Sequence, residues 1–196
     1  ISVGSSIRTG GMAFYSQGGS RLDLVAPGGD LLPSTGDGGI VLPGDGDTSL
    51  GAIMGTSFAA PLVAGAWSVM REKSPTSTVD TVKRVLQENG VNITENRPNY
   101  TAMTHKRIAV AAALAAADGL PAVTSLTVEP GDHVAGDSVN ITVVATNAVS
   151  CGVIGGSGTV NLSGGQGVIT VTATSGNQTY NIQCSDAGGY AAQRSV

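Results

Sequence analysis

The sequence predicts an α/β domain followed by a small all-β module. Up to Gly119-Leu120-Pro121, short apolar runs alternate with glycine-rich loops and helical patterns; beyond it nearly every stretch is rich in Val, Thr, Ile and Ser with turn residues between. Charge shifts at the same place, from nine basic and ten acidic residues up to position 121 to one and four after it, and Phe and Trp occur only before it. These observations set the expected division at residues 1–119 and 120–196.

In the first part, Ile1-Ser2-Val3-Gly4 and Leu22-Asp23-Leu24-Val25-Ala26 are short runs closed by glycine or by Pro27-Gly28, the pattern of buried strands. Residues 28 to 49 form a long stretch rich in Gly, Asp, Pro and Ser, and a loop of that length in a compact domain is usually functional. From Phe58 to Met70 nearly every residue is apolar or small, which predicts a helix buried on all sides and running through the core. Pro61 is tolerated only near the first turn, so this helix is expected to begin close to Ser57.

Val79, Val82, Val85 and Leu86 recur at helical spacing before Gly90, and a third helix is expected over Arg107 to Ala117, stopped by Gly119 and Pro121. In the second part, Thr124–Val128, Ser138–Thr146, Val168–Ala173 and Thr179–Cys184 read as strands separated by turns at Pro130-Gly131, Gly155-Gly156 and Ser175-Gly176-Asn177, with Tyr190 to Val196 as a last edge strand. This is a sandwich pattern.

Composition narrows the function. The net charge is -4 and the basic residues are scattered, with no Lys/Arg run interleaved with aromatics, so nucleic acid is not an expected partner. No stretch reaches the roughly 18 uninterrupted apolar residues of a membrane span, so no membrane association is expected either. Ile1-Ser2-Val3-Gly4 has neither the basic start nor the apolar centre of a signal peptide, and the true beginning is expected to lie elsewhere. Cys151 and Cys184, the two cysteines, both lie in the last third and read as one disulfide, which implies an oxidising compartment. Zinc is not expected, because His105 and His133 stand at no ligand spacing from them.

Ser57 is the candidate catalytic residue. A serine hydroxyl becomes a nucleophile only when a base removes its proton and donors await the oxyanion, and a helix N-terminus supplies part of that polarisation. On local chemistry alone a serine in this place is more commonly a helix cap. The wider pattern favours catalysis. Gly55-Thr56-Ser57-Phe58-Ala59-Ala60-Pro61-Leu62-Val63-Ala64-Gly65 resembles the catalytic-serine signature of the subtilisin-like (S8) serine proteases, in which G-T-S-x-A-x-P-x-V-A-G opens the central helix. Leu22-Asp23-Leu24-Val25-Ala26-Pro27-Gly28 is similar to the family's V-D-I-x-A-P-G segment, and Ile1-Ser2-Val3-Gly4 to its V-I-A-V-G strand.

The resemblance covers roughly residues 1 to 119. It implies the C-terminal part of a three-layer, parallel-sheet subtilisin-like domain, and a secreted, extracellular endopeptidase acting on protein or peptide substrates. It also implies that the partner triad residues lie elsewhere: the family order is Asp, His, Ser, whereas His105 and His133 both follow Ser57 and read as surface residues. The Asp, the His and the oxyanion Asn are therefore expected from an N-terminal part of the same protease, and the chain alone is expected to be inactive. A non-catalytic extracellular binding or adhesion protein built on the same scaffold is the alternative. A hydrolase of the G-x-S-x-G type fits less well, since Ala59 stands where the second glycine belongs.

No cofactor motif is evident. Asp37, Asp45 and Asp47 lie in a glycine-rich loop that is compatible with the structural calcium of this family, although they match no complete calcium loop and read better as solvated carboxylates. The tail from Cys151 through Thr179–Cys184 to Gly189 resembles a bacterial immunoglobulin-like module of secreted hydrolases, without the Trp that antibody-type domains pack on their disulfide.

Overall fold

The structure is a computed structural model that describes residues 1–32, 38–44 and 49–196. It divides into two compact units, one built from Ile1–Met70 and Arg84–Ala115, the other from Arg71–Lys83 and Ala116–Val196.

The first unit opens with β1 (Val3–Ser6) and β2 (Leu24–Pro27), paired in parallel with Val3 opposite Leu24 and Ser6 opposite Pro27. Both strands sit about two residues later than the apolar runs suggest. Ser2 explains the shift: its amide and hydroxyl bond Asp23 Oδ2 at 2.8 and 3.2 Å, so Ile1 and Ser2 stay at the exposed margin while Gly4, Ser5 and Ser6 enter the interior. Leu24, Val25 and Ala26 are fully buried.

β3 (Ile40–Pro43) and β4 (Leu50–Ile53) pair as a two-stranded antiparallel ribbon. Helix α1 (Thr56–Lys73) begins where the sequence places it, and Pro61 is its sixth residue. Pro61 thus stands one turn further in than the first-turn position the sequence suggests, and it removes the N–H that would bond the Ser57 carbonyl. The expectation that α1 is buried all round is corrected. Only Ala59, Val63, Ala66 and Met70 are buried, a single stripe at helical spacing, while Leu62 and Val69 are 45% and 41% exposed.

Helix α2 (Val79–Glu88) is amphipathic as expected and buries Thr81, Val82, Val85 and Leu86. Its start is capped by Thr78, whose Oγ1 accepts the Thr81 amide at 3.1 Å. After it comes an antiparallel pair absent from the sequence expectation, β5 (Val91–Glu95) and β6 (Met103–Arg107), which completes a four-stranded sheet of order β1-β2-β6-β5. The expected helix over 107–117 is correspondingly shorter: α3 spans Val110–Ala116, because Arg107 ends β6 and the Ile108 amide bonds the Val25 carbonyl at 2.9 Å.

In the second unit, β7 (Ala122–Val128), β8 (Ser138–Thr146), β9 (Ser150–Val153), β10 (Thr159–Asn161), β11 (Gln166–Thr172), β12 (Asn181–Ser185) and β13 (Ala191–Ser195) form two antiparallel sheets, β11-β8-β7 and β10-β9-β12-β13. Val123, Ile141, Val143, Ile169 and Ile182 share one core with Cys151 and Cys184, which are joined as a disulfide. Along β8 the burial alternates strictly, and Ile141, Val143 and Ala145 from its buried face enter this core. The outer edge of β13 is covered: the Gln193 amide bonds the Thr76 carbonyl at 2.6 Å and the Thr78 amide bonds the Ala191 carbonyl at 2.9 Å.

Candidate functional site

Three chain segments meet at the start of α1. The parallel strands β1 and β2 end side by side at Ser6 and Pro27, and parallel sheets place their sites beyond the carboxyl ends of the strands. From the end of β2, Gly28 accepts the Gly55 amide on its carbonyl at 2.9 Å, and Gly28 donates its own amide to the Ser6 carbonyl at 3.1 Å. Only glycine fits at 28: a Cβ there would stand 1.9 Å from Ser5 Oγ and 2.6 Å from the Gly55 carbonyl oxygen. The tight pairing fixes where the chain turns into the helix.

Ser57 lies in the first turn of α1 and is exposed. Phe58 donates to the Gly55 carbonyl at 3.1 Å, closing that turn. The Ser57 amide, one of the four that a helix start leaves without an intrahelical acceptor, points out of the positive end of the helix dipole. Gly55 takes φ 156°, and a Cβ at that position would lie 3.1 Å from Ser57 Oγ, so glycine keeps the space beside the hydroxyl open. Among the described residues Ser57 Oγ has no hydrogen-bond partner.

Tyr15 is the residue that sequence reasoning missed. Its hydroxyl stands 2.8 Å from the Gly28 carbonyl, 2.7 Å from the Gly29 carbonyl, 3.1 Å from the Gly55 amide and 2.8 Å from Ser5 Oγ. It thus ties the ends of both strands to the residue two before Ser57. The loop bearing it is clamped by Arg97, whose guanidinium donates to the carbonyls of Ala13 at 2.6 Å, Phe14 at 3.1 Å and Ser16 at 2.7 Å. Arg97 in turn is held by the fully buried carboxylate of Glu95, with Nε 2.8 Å from Oε1 and a second bond from Nη2 to Oε2. The Tyr100 ring covers the guanidinium at 4.2 Å. Hydrogen bonding to Arg97 holds the Glu95 carboxyl below the ordinary carboxylate range.

The histidines are placed as follows. His133 is exposed, with Nε2 3.4 Å from the Glu129 carbonyl. His105 is not the surface residue expected: it lies in β6 opposite Ile93, is 5% exposed, and its Nε2 is buried without a partner. Burial holds its pKa below the ordinary histidine value. Neither histidine is hydrogen-bonded to Ser57. Asp37, Asp45 and Asp47 lie outside the described residues, and among the described residues no three His, Cys, Asp or Glu side chains gather as a metal site. No described helix is long and apolar enough to cross a membrane.

The family model of the subtilase family matches residues 1–113. Of solved structures, one described as proteases from Pseudoalteromonas arctica PAMC 21717 is 32% identical over 60% of this chain, with a TM-score of 0.47. The chain spans about a third of that protein, 35% of its length. No curated protein matches. With a glycine-framed serine opening a helix beyond two parallel strands, and with the family pattern running through residues 1–113, more than half of its length, the chain belongs to the subtilase family.

Proposed function

We propose that Ser57 is the acyl-transfer nucleophile of a secreted, extracellular serine endopeptidase acting on protein or peptide substrates. The observation that carries this reading is the setting of Ser57: an exposed hydroxyl on the first turn of α1, with its amide free at the positive helix end. Ser57 Oγ attacks the peptide carbonyl carbon and its proton passes to a histidine oriented by an aspartate. The carbonyl oxygen becomes an oxyanion held by the Ser57 N–H and an asparagine side chain. The C–N bond then breaks, the amine leaves with the histidine's proton, and water releases the acyl group by the reverse sequence. The histidine, aspartate and asparagine come from an N-terminal part of the same protease. The second unit, with its two sheets around a disulfide, is an immunoglobulin-like module whose disulfide suits an oxidising, extracellular setting.

A fluorophosphonate probe tests the reading. The full-length protein is expected to label at Ser57, and both the Ser57→Ala variant and this chain alone are expected to remain unlabelled. Labelling that survives Ser57→Ala would show the nucleophile to be another residue. A full-length protein that never labels would favour the non-catalytic binding reading.

A further inference from the structure

We infer that Tyr15 is a positioning residue for the nucleophile: its hydroxyl sets the backbone from which Ser57 projects. This rests on the proposed role of Ser57. A phenol hydroxyl has one proton to give and two lone pairs to receive. Here all are used. The proton goes to the paired carbonyls of Gly28 and Gly29 at 2.8 and 2.7 Å, and the lone pairs receive the Gly55 amide at 3.1 Å and the Ser5 hydroxyl at 2.8 Å. The Gly55 amide is shared between Tyr15 and the Gly28 carbonyl, so the residue that permits the turn into α1 is held from two sides.

Without the phenol oxygen the Gly29 carbonyl and Ser5 Oγ both lose this partner and the Gly55 amide keeps one contact instead of two. The ring itself would still fill its place, packed edge-on against Phe14 with centroids 5.2 Å apart. Removing the hydroxyl therefore loosens the Gly55-Thr56-Ser57 backbone rather than emptying the loop. Displacements of about 1 Å in a reacting group can cost about 100-fold in rate, so a residue that never touches substrate can still set turnover.

Tyr15→Phe in the full-length protein tests this. With active sites titrated, so that only folded, reactive molecules are counted, kcat and the rate of Ser57 phosphonylation are expected to fall by about 10- to 100-fold while KM stays within about twofold. Ser5→Ala, which removes one partner and keeps the phenol, is expected to lose less and serves if Tyr15→Phe folds poorly. In this chain itself, hydrogen exchange at the Gly55 amide should speed up in Tyr15→Phe relative to the unaltered chain.

An unchanged kcat per titrated site in Tyr15→Phe, with only the melting temperature lowered, would make Tyr15 a purely structural residue and overturn the inference while Ser57→Ala still abolishes activity. If Ser57→Ala retains activity, the nucleophile reading fails and takes the inference with it, and the two failures are told apart by that variant.

Discussion

Arg97 holds Glu95 through two nitrogens, Nε to Oε1 at 2.8 Å and Nη2 to Oε2, with the carboxylate fully buried and the guanidinium nearly so. The same guanidinium donates to three carbonyls of the 13–16 loop. One side chain thus neutralises a buried charge and fixes the segment that carries Tyr15.

Arg97→Met is expected to cost about 3–5 kcal/mol, because it strands a buried carboxylate and leaves the loop carbonyls without their donor. Arg97→Lys keeps the charge but cannot reproduce the fork, and should fall between Arg97→Met and the unaltered chain. Denaturant unfolding of this chain measures both. A cost for Arg97→Met below about 1 kcal/mol, the range of an exposed pair, would show that the cluster is solvated in practice.

Stability is expected to fall in acid in two stages. Burial holds His105 below its ordinary 6.5, so below that value the unfolded chain takes a proton that the folded chain refuses. Its contribution is complete above 6.5 and is lost as pH drops below it. Glu95, held by Arg97 below its ordinary 4.5, contributes fully above that value and loses its contribution as pH falls further. The urea midpoint followed against pH should show the first decline in the unaltered chain and not in His105→Gln. A His105→Gln curve that keeps the decline would move its origin to another group.

Much of the first unit was legible because glycine, proline and apolar spacing speak directly for strands, turns and helices. The start of α1 and the existence of β1 and β2 followed from Gly55, Pro61 and the runs ending at Gly4 and Pro27. The β5–β6 pair did not. Asn92, Thr94, Thr104 and Lys106 give it a polar texture, and its buried members are Ile93, Glu95 and His105, two of which are ionisable. That is also why His105 read as a surface residue: its burial comes from tertiary pairing that local composition does not encode. Tyr15 was invisible for a similar reason, since its four contacts reach from Ser5 to Gly55. Asparagine, threonine and glycine around β9 and β10 hid two short strands behind what looked like turns.

Reducing the Cys151–Cys184 bond is expected to destabilise the second unit by about 2–4 kcal/mol, the range for closing a loop of a few tens of residues. The Cys151→Ala, Cys184→Ala double variant should match the reduced protein to within the cavity cost of losing two buried sulfurs. Equal denaturation midpoints with and without reductant would show that the bond adds nothing to this core.

Gly28→Ala is expected to damage the site more than its single methyl suggests. Its φ is unremarkable for any residue, so the objection is steric: the new carbon would stand 1.9 Å from Ser5 Oγ and 2.6 Å from the Gly55 carbonyl, and the backbone must part there. The strands β1 and β2 and the turn before Ser57 would all move. A stability loss of about 1–3 kcal/mol is expected from overpacking, with a drop in fluorophosphonate labelling of the full-length protein larger than that loss accounts for. Full labelling by Gly28→Ala would show that the turn tolerates displacement, contrary to the glycine framing of the site.

Gly65 gives the opposite expectation in two contexts. In this chain a Cβ at 65 meets nothing within 4 Å, on the face of α1 that also exposes Leu62 and Val69. Replacing a helical glycine by alanine where there is room stabilises by about 0.5–1 kcal/mol, so Gly65→Ala should raise the denaturation midpoint of this chain. If the N-terminal part proposed above packs against this face, as the apolar and small residues over Phe58–Met70 would suit, Gly65 lies at that contact. There glycine permits close approach, and the added methyl should lower stability instead. The reversal of sign between the two contexts is the diagnostic result. Stabilisation of equal size in both would mean that this face of α1 stays uncovered in the full-length protein.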